Sequence, residues 1–377
     1  MYFTHRCQAS LKYICIDVRL EYMGNSKKKV FVVGGTGFLG YYSCLEFLKK
    51  GVPVTTISRG NIKLGDWFPK QIKLVKDLDV FKASQEELTR VFEGYDIMIY
   101  SVGPDDRVVP EAPAYDFFHE KLVVQCSKVI KAAKDAGVKR VVIMNSYFAY
   151  FDREFGGLLS RNHPYIKART EQARVCIDIG KEGIMDVMVL ELPYIFGCMP
   201  ERKPIWRDVF LNRFENMKTV YLPKGGTVMV HVKDVARTVV ASAFKGEHGV
   251  RYPIGSYNMK FTEMVKTMYE YLGVGKKVST IPAWICYLGG LAMKRNLAKE
   301  GKEAGLDSAK LMTQIMSKDF YYSPENIVHT DKFDVKEGIE SAMKACYPEK
   351  FPDFDATEEV KEDLEIIEEI WNKIDLD

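Results

Sequence analysis

The chain has 377 residues, 47% hydrophobic and 28% charged, with 54 basic against 51 acidic side chains for a net charge of +3. This composition excludes disorder as the dominant state, and so even a balance of charge gives the whole molecule no field with which to recruit nucleic acid or anionic lipid. The length exceeds what a single core usually fills, so two joined lobes are expected.

Residues 1–22 precede any fold signal. Arg6, Lys12, Asp17, Arg19 and Glu21 interrupt the apolar stretch that a secretory signal needs. The run Met23-Gly24-Asn25-Ser26 followed by Lys27–Lys29 reads as a natural start, which makes 1–22 an extension outside the core and Met23 the expected first residue. The alternation Ile14, Ile16, Val18, Leu20 permits a short extra strand instead.

From Val30 onward, short apolar runs alternate with helical segments. Strands are predicted at Val30–Val33, Val54–Ile57, Ile72–Val75, Ile97–Ser101, Val141–Met144 and Val187–Leu190, each read as buried on both faces. Helices are predicted over Phe38–Lys50, over Phe118–Ala136 with Gly137 as the C-cap, and after Pro164. The alternation predicts an α/β fold, a doubly wound parallel sheet over residues 23–192 whose core strands continue into 193–255. Shorter elements beyond Pro193 predict a smaller substrate-binding lobe, residues 193–354, interleaved with the first.

Within that lobe Ile281–Met293 is apolar but only 13 residues long and contains Pro282, Gly289 and Gly290, short of the ~20 that span a bilayer. A core or lid helix is expected there, with a membrane-surface helix as the alternative. The last segment, Asp355–Ile374, reads as an amphipathic helix with Asp355 at its N-cap. Its stripe of Val360, Leu364, Ile367, Trp371 and Ile374 is expected to dock onto the chain's own domain.

The eight cysteines, Cys7, Cys15, Cys44, Cys126, Cys176, Cys198, Cys286 and Cys346, form no Cys-x-x-Cys pair and no cysteine–histidine cluster at zinc spacing. They read as reduced thiols of a cytoplasmic protein without a metal site.

Chemistry enters at Gly34-Gly35-Thr36-Gly37-Phe38-Leu39-Gly40, a glycine turn between a strand and a helix with GxxGxxG spacing. A dinucleotide needs such a turn. A Cβ at Gly34 or Gly37 would block the approach of backbone to pyrophosphate, and the helix start supplies free N–H groups and a positive dipole. Gly40 is expected to let the helix pack close. The second strand ends in Ser58-Arg59, where NAD-specific folds carry an acid. A guanidinium there can hold a 2′-phosphate through paired hydrogen bonds, with Ser58 adding a hydroxyl, so NADP is expected ahead of NAD. Asp77-Leu78, after the third strand, is placed to meet the adenine edge.

Over roughly residues 28–280 the sequence resembles the extended short-chain dehydrogenase/reductase family, the NAD-dependent epimerase/dehydratase group that includes dihydroflavonol-reductase-like enzymes. The likeness is carried by VFVVGGTGFLG, AGVKRVVIMNS, HPYIKAR, LELPYIFG, HVKDVA and YPIG. It implies a Rossmann fold, a tyrosine acid/base, a serine or threonine that polarises a carbonyl, and a lysine four residues after the tyrosine. Tyr165 and Ser146 take the first two roles, and Pro193 joins the cofactor-binding set. Arg169 stands where the lysine is expected, while Lys167 points away around the helix. A free phenol titrates near 10, so Arg169 is read as the cation that lowers Tyr165.

Several neighbours receive lesser roles. Tyr147 and Tyr150 could line the pocket but are read as packing, as is Asn145; His163 could assist proton exchange but is read as a lone surface histidine without a role, and His231 as structural. Gly103–Arg107 is expected to overhang the cofactor, and Arg202, Lys203 and Arg207 lie where sugar-nucleotide enzymes of the family hold a diphosphate. The resemblance implies an NADP-dependent oxidoreductase or epimerase acting on a small carbonyl, alcohol or sugar nucleotide, and a homodimer through helices near 118–136 and 165–180. The replaced lysine leaves a second reading open, a non-catalytic NADP-sensing protein.

Overall fold

The computed structural model describes residues 28–60, 64–323 and 333–374. The extension 1–22 and the expected start at Met23 lie outside the described residues. Strands β1 (Val30–Val33), β2 (Val54–Ile57), β3 (Lys73–Val75), β4 (Ile97–Tyr100), β5 (Arg140–Ser146) and β6 (Asp186–Leu192) form where apolar runs predict them. After β7 (Tyr194–Phe196), β8 (Thr219–Leu222) and β9 (Gly226–His231), a further strand, β10 (Arg251–Pro253), returns to the same sheet. The resulting order is β10-β6-β5-β4-β1-β2-β3, with every pairing parallel. At the edge, β3 has Lys73 exposed and Leu74 and Val75 half-buried, so burial on both faces does not extend to it.

Helices cover both faces, as a sheet of continuously apolar strands requires. One side takes α1 (Phe38–Leu48) through Tyr41, Leu45 and Leu48, and the other takes α2 (Gln85–Phe92) through Leu88 and Phe92. The predicted helix over 118–136 starts earlier, as α3 (Ala114–Phe118), and passes through a wider π-type turn at His119–Val124 into α4 (Gln125–Asp135). Next come α5 (Tyr147–Glu154), α6 (Pro164–Ile179) and α7 (Val232–Lys245). Helices α4 and α6 share the α2 side, and α7 packs beside α1.

The smaller lobe is built on β9, which pairs with β7, with β11 (Tyr257–Lys260) and with β13 (Asp319–Phe320), while β12 (Lys277–Thr280) pairs with β8. Its core joins Trp206 and Phe210 to α8 (Phe261–Tyr271). Helix α9 (Ala283–Lys299), over the segment read as a core or lid helix, lies on the surface, so it is not a core helix: Gly290 is its one buried residue. No described helix is long and apolar enough to cross a membrane.

Two helices complete the chain, α10 (Val335–Cys346) in the smaller lobe and α11 (Glu358–Ile374) against the first. Asp355 accepts from Thr357 N–H in a turn ahead of the helix, and α11 begins two residues later than an N-cap at Asp355 predicts. Val360 and Ile367 are fully buried against α1, and Trp371 Nε1 donates to Leu48 O at 3.2 Å. Asp363 meets Lys49 of α1 at 2.8 Å and Lys233 of α7 at 3.2 Å, which fixes α11 to both helices.

Candidate active site

The strand order reverses between β1 and β4, so the crevice at the C-terminal ends of these strands is where an open α/β sheet takes its ligand. The glycine turn opens there, and its glycines have different duties. Gly34 has φ +97°, and a Cβ on it would stand 2.6 Å from Ser101 O, so the turn is pressed against the exit of β4. A Cβ on Gly40 would stand 2.1 Å from Gly34 O, which means α1 rests directly on the turn rather than only on the sheet. At Gly37 a Cβ would meet nothing closer than Gly34 O at 3.3 Å and Arg202 Nη1 at 3.6 Å, leaving room in front of the helix start. Helix α1 has no side-chain N-cap bond. Its first-turn N–H groups and this open space fit the pyrophosphate of a dinucleotide.

A cleft of about 400 Å³ runs from the turn to the smaller lobe. It brings together Gly37, Phe38 and Leu39 with Ser146, Tyr165, Arg169 and Pro193. Gly34, Gly35, Thr36 and Gly40 support the turn from behind and do not line it. Ser58, Arg59, Asp77 and Leu78 lie outside the cleft, beyond the C-terminal ends of β2 and β3. Ser58 is buried, with its N–H on Val75 O, and Arg59 is exposed. Asp77 adopts φ +59°.

Pro164 starts α6, so Tyr165 and Arg169 fall one turn apart on the same helix face. Arg169 Nε donates to Tyr165 Oη at 2.9 Å. The rest of the guanidinium is engaged as well: Nη1 donates to Gln172 Oε1 at 3.0 Å and Met144 O at 3.4 Å, and Nη2 to Pro104 O at 3.4 Å. Asn145 Nδ2 in turn donates to Arg169 O and Gln172 Oε1, and Asn145 Oδ1 accepts from Ser146 N–H. Asn145 is therefore part of the scaffold behind the tyrosine, and Gln172, not singled out from the sequence, is its hub. The α6 spacing of seven from Tyr165 was the available signal.

Burial pushes the Tyr165 phenol above its ordinary value, the Arg169 cation pulls it back, and Asp106 raises it again. The net displacement is upward. Ser146 Oγ accepts from Phe148 N–H at 3.3 Å as the N-cap of α5, which leaves its own proton available to the cleft.

The loop after β4 supplies a group the sequence reading passed over. Asp106 lines the cleft, and burial, reinforced by the Asp105 carboxylate, pushes its carboxyl up to about 6. Asp105 is paired with Arg107 across the loop. His163, read from the sequence as a surface residue, is instead fully buried: it accepts from Asp307 N–H at 3.0 Å and is held neutral by burial with its pKa lowered to about 4. His231 caps α7 by accepting from Lys233 N–H at 3.2 Å. Tyr147 is packed among Phe148, Phe151 and Tyr194. Arg202 and Lys203 line the cleft, whereas Arg207 turns away to Glu349 at 2.6 Å and the Tyr347 ring. Glu201, at φ +56°, sits in the turn that brings Arg202 back toward Gly37.

The model of the NAD dependent epimerase/dehydratase family matches residues 30–255, more than half of the chain and every strand of the seven-stranded sheet. This chain belongs to that family. The epimerase/dehydratase family is one of NAD-dependent enzymes, and its expected Rossmann-type fold is the one observed. No curated protein matches the sequence. Among solved structures, gox2253 superposes with a TM-score of 0.66 at 16% identity, over 85% of this chain and 98% of that one. A UDP-glucose 4-epimerase from Bifidobacterium longum, solved with NAD+ and UDP, gives 0.62 at 17% over 85% and 98%. A nucleoside-diphosphate-sugar epimerase from Pseudomonas aeruginosa gives 0.60 at 17% over the same shares. At these identities the likeness shows the fold alone.

Proposed function

We propose that this epimerase/dehydratase-family enzyme interconverts a secondary alcohol and a carbonyl on a small substrate, with Tyr165 as the acid/base. The observation that carries this reading is the 2.9 Å hydrogen bond from Arg169 Nε to Tyr165 Oη, inside the cleft that also holds Ser146 and Gly37. Because Oη accepts from Arg169, its own proton is directed elsewhere, toward the substrate oxygen. The Ser146 hydroxyl, its lone pair taken by Phe148 N–H, donates to the same oxygen and polarises the carbonyl. Arg169 stabilises the phenolate when the proton leaves, and its four bonds fix the guanidinium on the cleft wall beside the ring.

The dinucleotide is held by Gly37, Phe38 and Leu39 at the helix start, with Arg202 beside the pyrophosphate position. A bound nicotinamide supplies the hydride acceptor or donor. NADP is the proposed form, because Ser58-Arg59 ends β2 without an acid and Arg59, among the described residues, makes no salt bridge. NAD is the form named in the solved relatives that hold a cofactor. A sugar nucleotide is the proposed substrate class. The cationic Arg202 and Lys203, next to Trp206 and Phe210 on the cleft wall, suit a diphosphate and a base.

The test is incubation with NADPH, NADH and a panel of carbonyls, alcohols and UDP-sugars. A reductase depletes the reduced nicotinamide band, and an epimerase interconverts two sugars without net depletion. Tyr165→Phe should abolish either reaction while dinucleotide binding persists. Undiminished turnover in Tyr165→Phe refutes the assignment. Dinucleotide binding with no turnover in the parent enzyme favours the sensor reading that the missing lysine raises.

A further inference from the structure

Helix α9 is the surface feature that the site does not use. Trp284 is 64% exposed, Leu288 55% and Ile285 38%, in a chain whose other apolar residues are mostly covered. At 3.6 residues per turn, Trp284, Ile285, Leu288 and Ala292 fall on one side of the helix, and Arg295 and Lys299 continue that side toward its C-terminus. Gly290 is diametrically opposite. A Cβ there would stand 2.3 Å from Ser308 O, so α9 is seated closely on its own domain and turns the Trp284 side outward.

The charges on this helix all have one sign. Between Ala283 and Lys299 there are Lys294, Arg295 and Lys299 and no carboxylate. The nearest acids are already engaged, Asp307 by Lys294 and Glu300 by Lys302. The preceding strand, β12, begins with Lys277, and its partner strand, β8, exposes Tyr221. A tryptophan and aliphatic side chains, followed on the same face by cations, match the boundary between acyl chains and anionic headgroups.

We infer that α9 is an interfacial helix that docks the enzyme on an anionic bilayer surface, lying parallel to it with Trp284, Ile285 and Leu288 in the headgroup boundary. The charge of the whole chain, +3, does not select such a surface; the carboxylate-free face of one helix does. A second copy of the chain suits the face less well, because two such faces would bring Arg295 and Lys299 against apolar residues or each other with no acid to meet them.

The experiment uses the full chain with vesicles of phosphatidylcholine alone and of phosphatidylcholine with about one third phosphatidylglycerol. Trp67 and Trp206 are buried and the Trp371 N–H is bonded to Leu48 O, so Trp284 is the indole a bilayer newly covers. Anionic vesicles should co-sediment the protein and shift its tryptophan emission to the blue, and added salt should weaken both effects. Trp284→Ala/Leu288→Ala should lower the partition coefficient by about tenfold or more, since both side chains lose their apolar burial. Arg295→Glu/Lys299→Glu should erase the preference for anionic over neutral vesicles. These side chains are exposed, so the variants should keep the parent's circular dichroism. Failure of the parent to co-sediment with anionic vesicles at low salt overturns the inference. So does a concentration-dependent dimer, lost in Trp284→Ala/Leu288→Ala, in a protein that ignores vesicles.

Discussion

Alanine at Gly37 and alanine at Gly40 should separate a ligand cradle from a packing contact three residues away. At Gly37 the backbone is at φ −97° and ψ 165°, which alanine adopts freely, and the new methyl meets only Gly34 O at 3.3 Å and Arg202 Nη1 at 3.6 Å. The stability change should stay within about 0.5 kcal/mol. The methyl occupies the space in front of the α1 N–H groups, where the pyrophosphate has to come. Loss of one charge-assisted hydrogen bond there, worth about 1.5–3 kcal/mol, weakens dinucleotide binding by roughly 10- to 100-fold. At Gly40 the methyl would stand 2.1 Å from Gly34 O and 2.6 Å from its carbonyl carbon, and neither atom belongs to a side chain that can swing away. Parting the turn from α1 costs about 1–3 kcal/mol, or roughly 2–4 °C of Tm for each kcal/mol. Thermal unfolding by circular dichroism and calorimetric titration with NADPH and NAD measure the two effects on the same preparations. Parent-like binding in Gly37→Ala, or a Gly37→Ala protein that melts below Gly40→Ala, would refute this division of labour.

Three further substitutions test the site. Arg169→Met removes the cation that pulls the Tyr165 phenol down, so activity that depends on the phenolate should shift to higher pH, and the same change made in a Tyr165→Phe background should cost nothing more. Losses that simply add would show that Arg169 acts elsewhere. Arg59→Ala should weaken NADP by about tenfold or more and leave NAD unchanged, as competition titrations will show; equal losses for both would remove Arg59 from the 2′-phosphate. Asp106→Asn concerns a carboxyl raised from 3.8 to about 6, so the folded state binds more protons than the unfolded one between those values and stability falls as pH rises through them. The variant should therefore be more stable than the parent above pH 6, by about 3 kcal/mol, and indistinguishable from it near pH 3. A constant difference across that range in denaturant titrations would contradict the raised value.

The parallel sheet was readable because β1, β4, β5 and β6 carry continuous apolar runs and β2 and β3 follow at regular spacing, and the glycine turn announces itself by its place between β1 and α1. Strand β10 is three residues, Arg251–Pro253, too short to leave a periodic trace, and it was expected only through the YPIG motif of the resemblance; its place beside β6 shows in the pairing alone. The π-type turn at His119–Val124 was hidden for the same reason: its sequence reads as ordinary helix. Tyr165 and Arg169 were legible as a helical pair, and Gln172 could have been found by its spacing on the same helix, whereas its link to Asn145 emerges only when β5 and α6 are side by side. The Gly103–Arg107 loop was legible as overhanging the cofactor, but the raised carboxyl of Asp106 depends on how deeply that side chain is buried beside Asp105, which no local pattern encodes. Helix α9 shows the opposite limit. Its apolar content argued for burial, and composition says nothing about which side of a helix the rest of the protein covers.

The clasp of α11 on α1 and α7 also sets an order of events during synthesis. Leu48, Lys49 and Lys233 are made long before Val360, Asp363 and Trp371, yet each waits for one of these late residues or packs beside them. A nascent chain emerging from the ribosome thus holds the outer flank of its nucleotide half uncovered until α11 has been made, so truncation within 358–374 should yield sticky, chaperone-bound polypeptides rather than a smaller working enzyme.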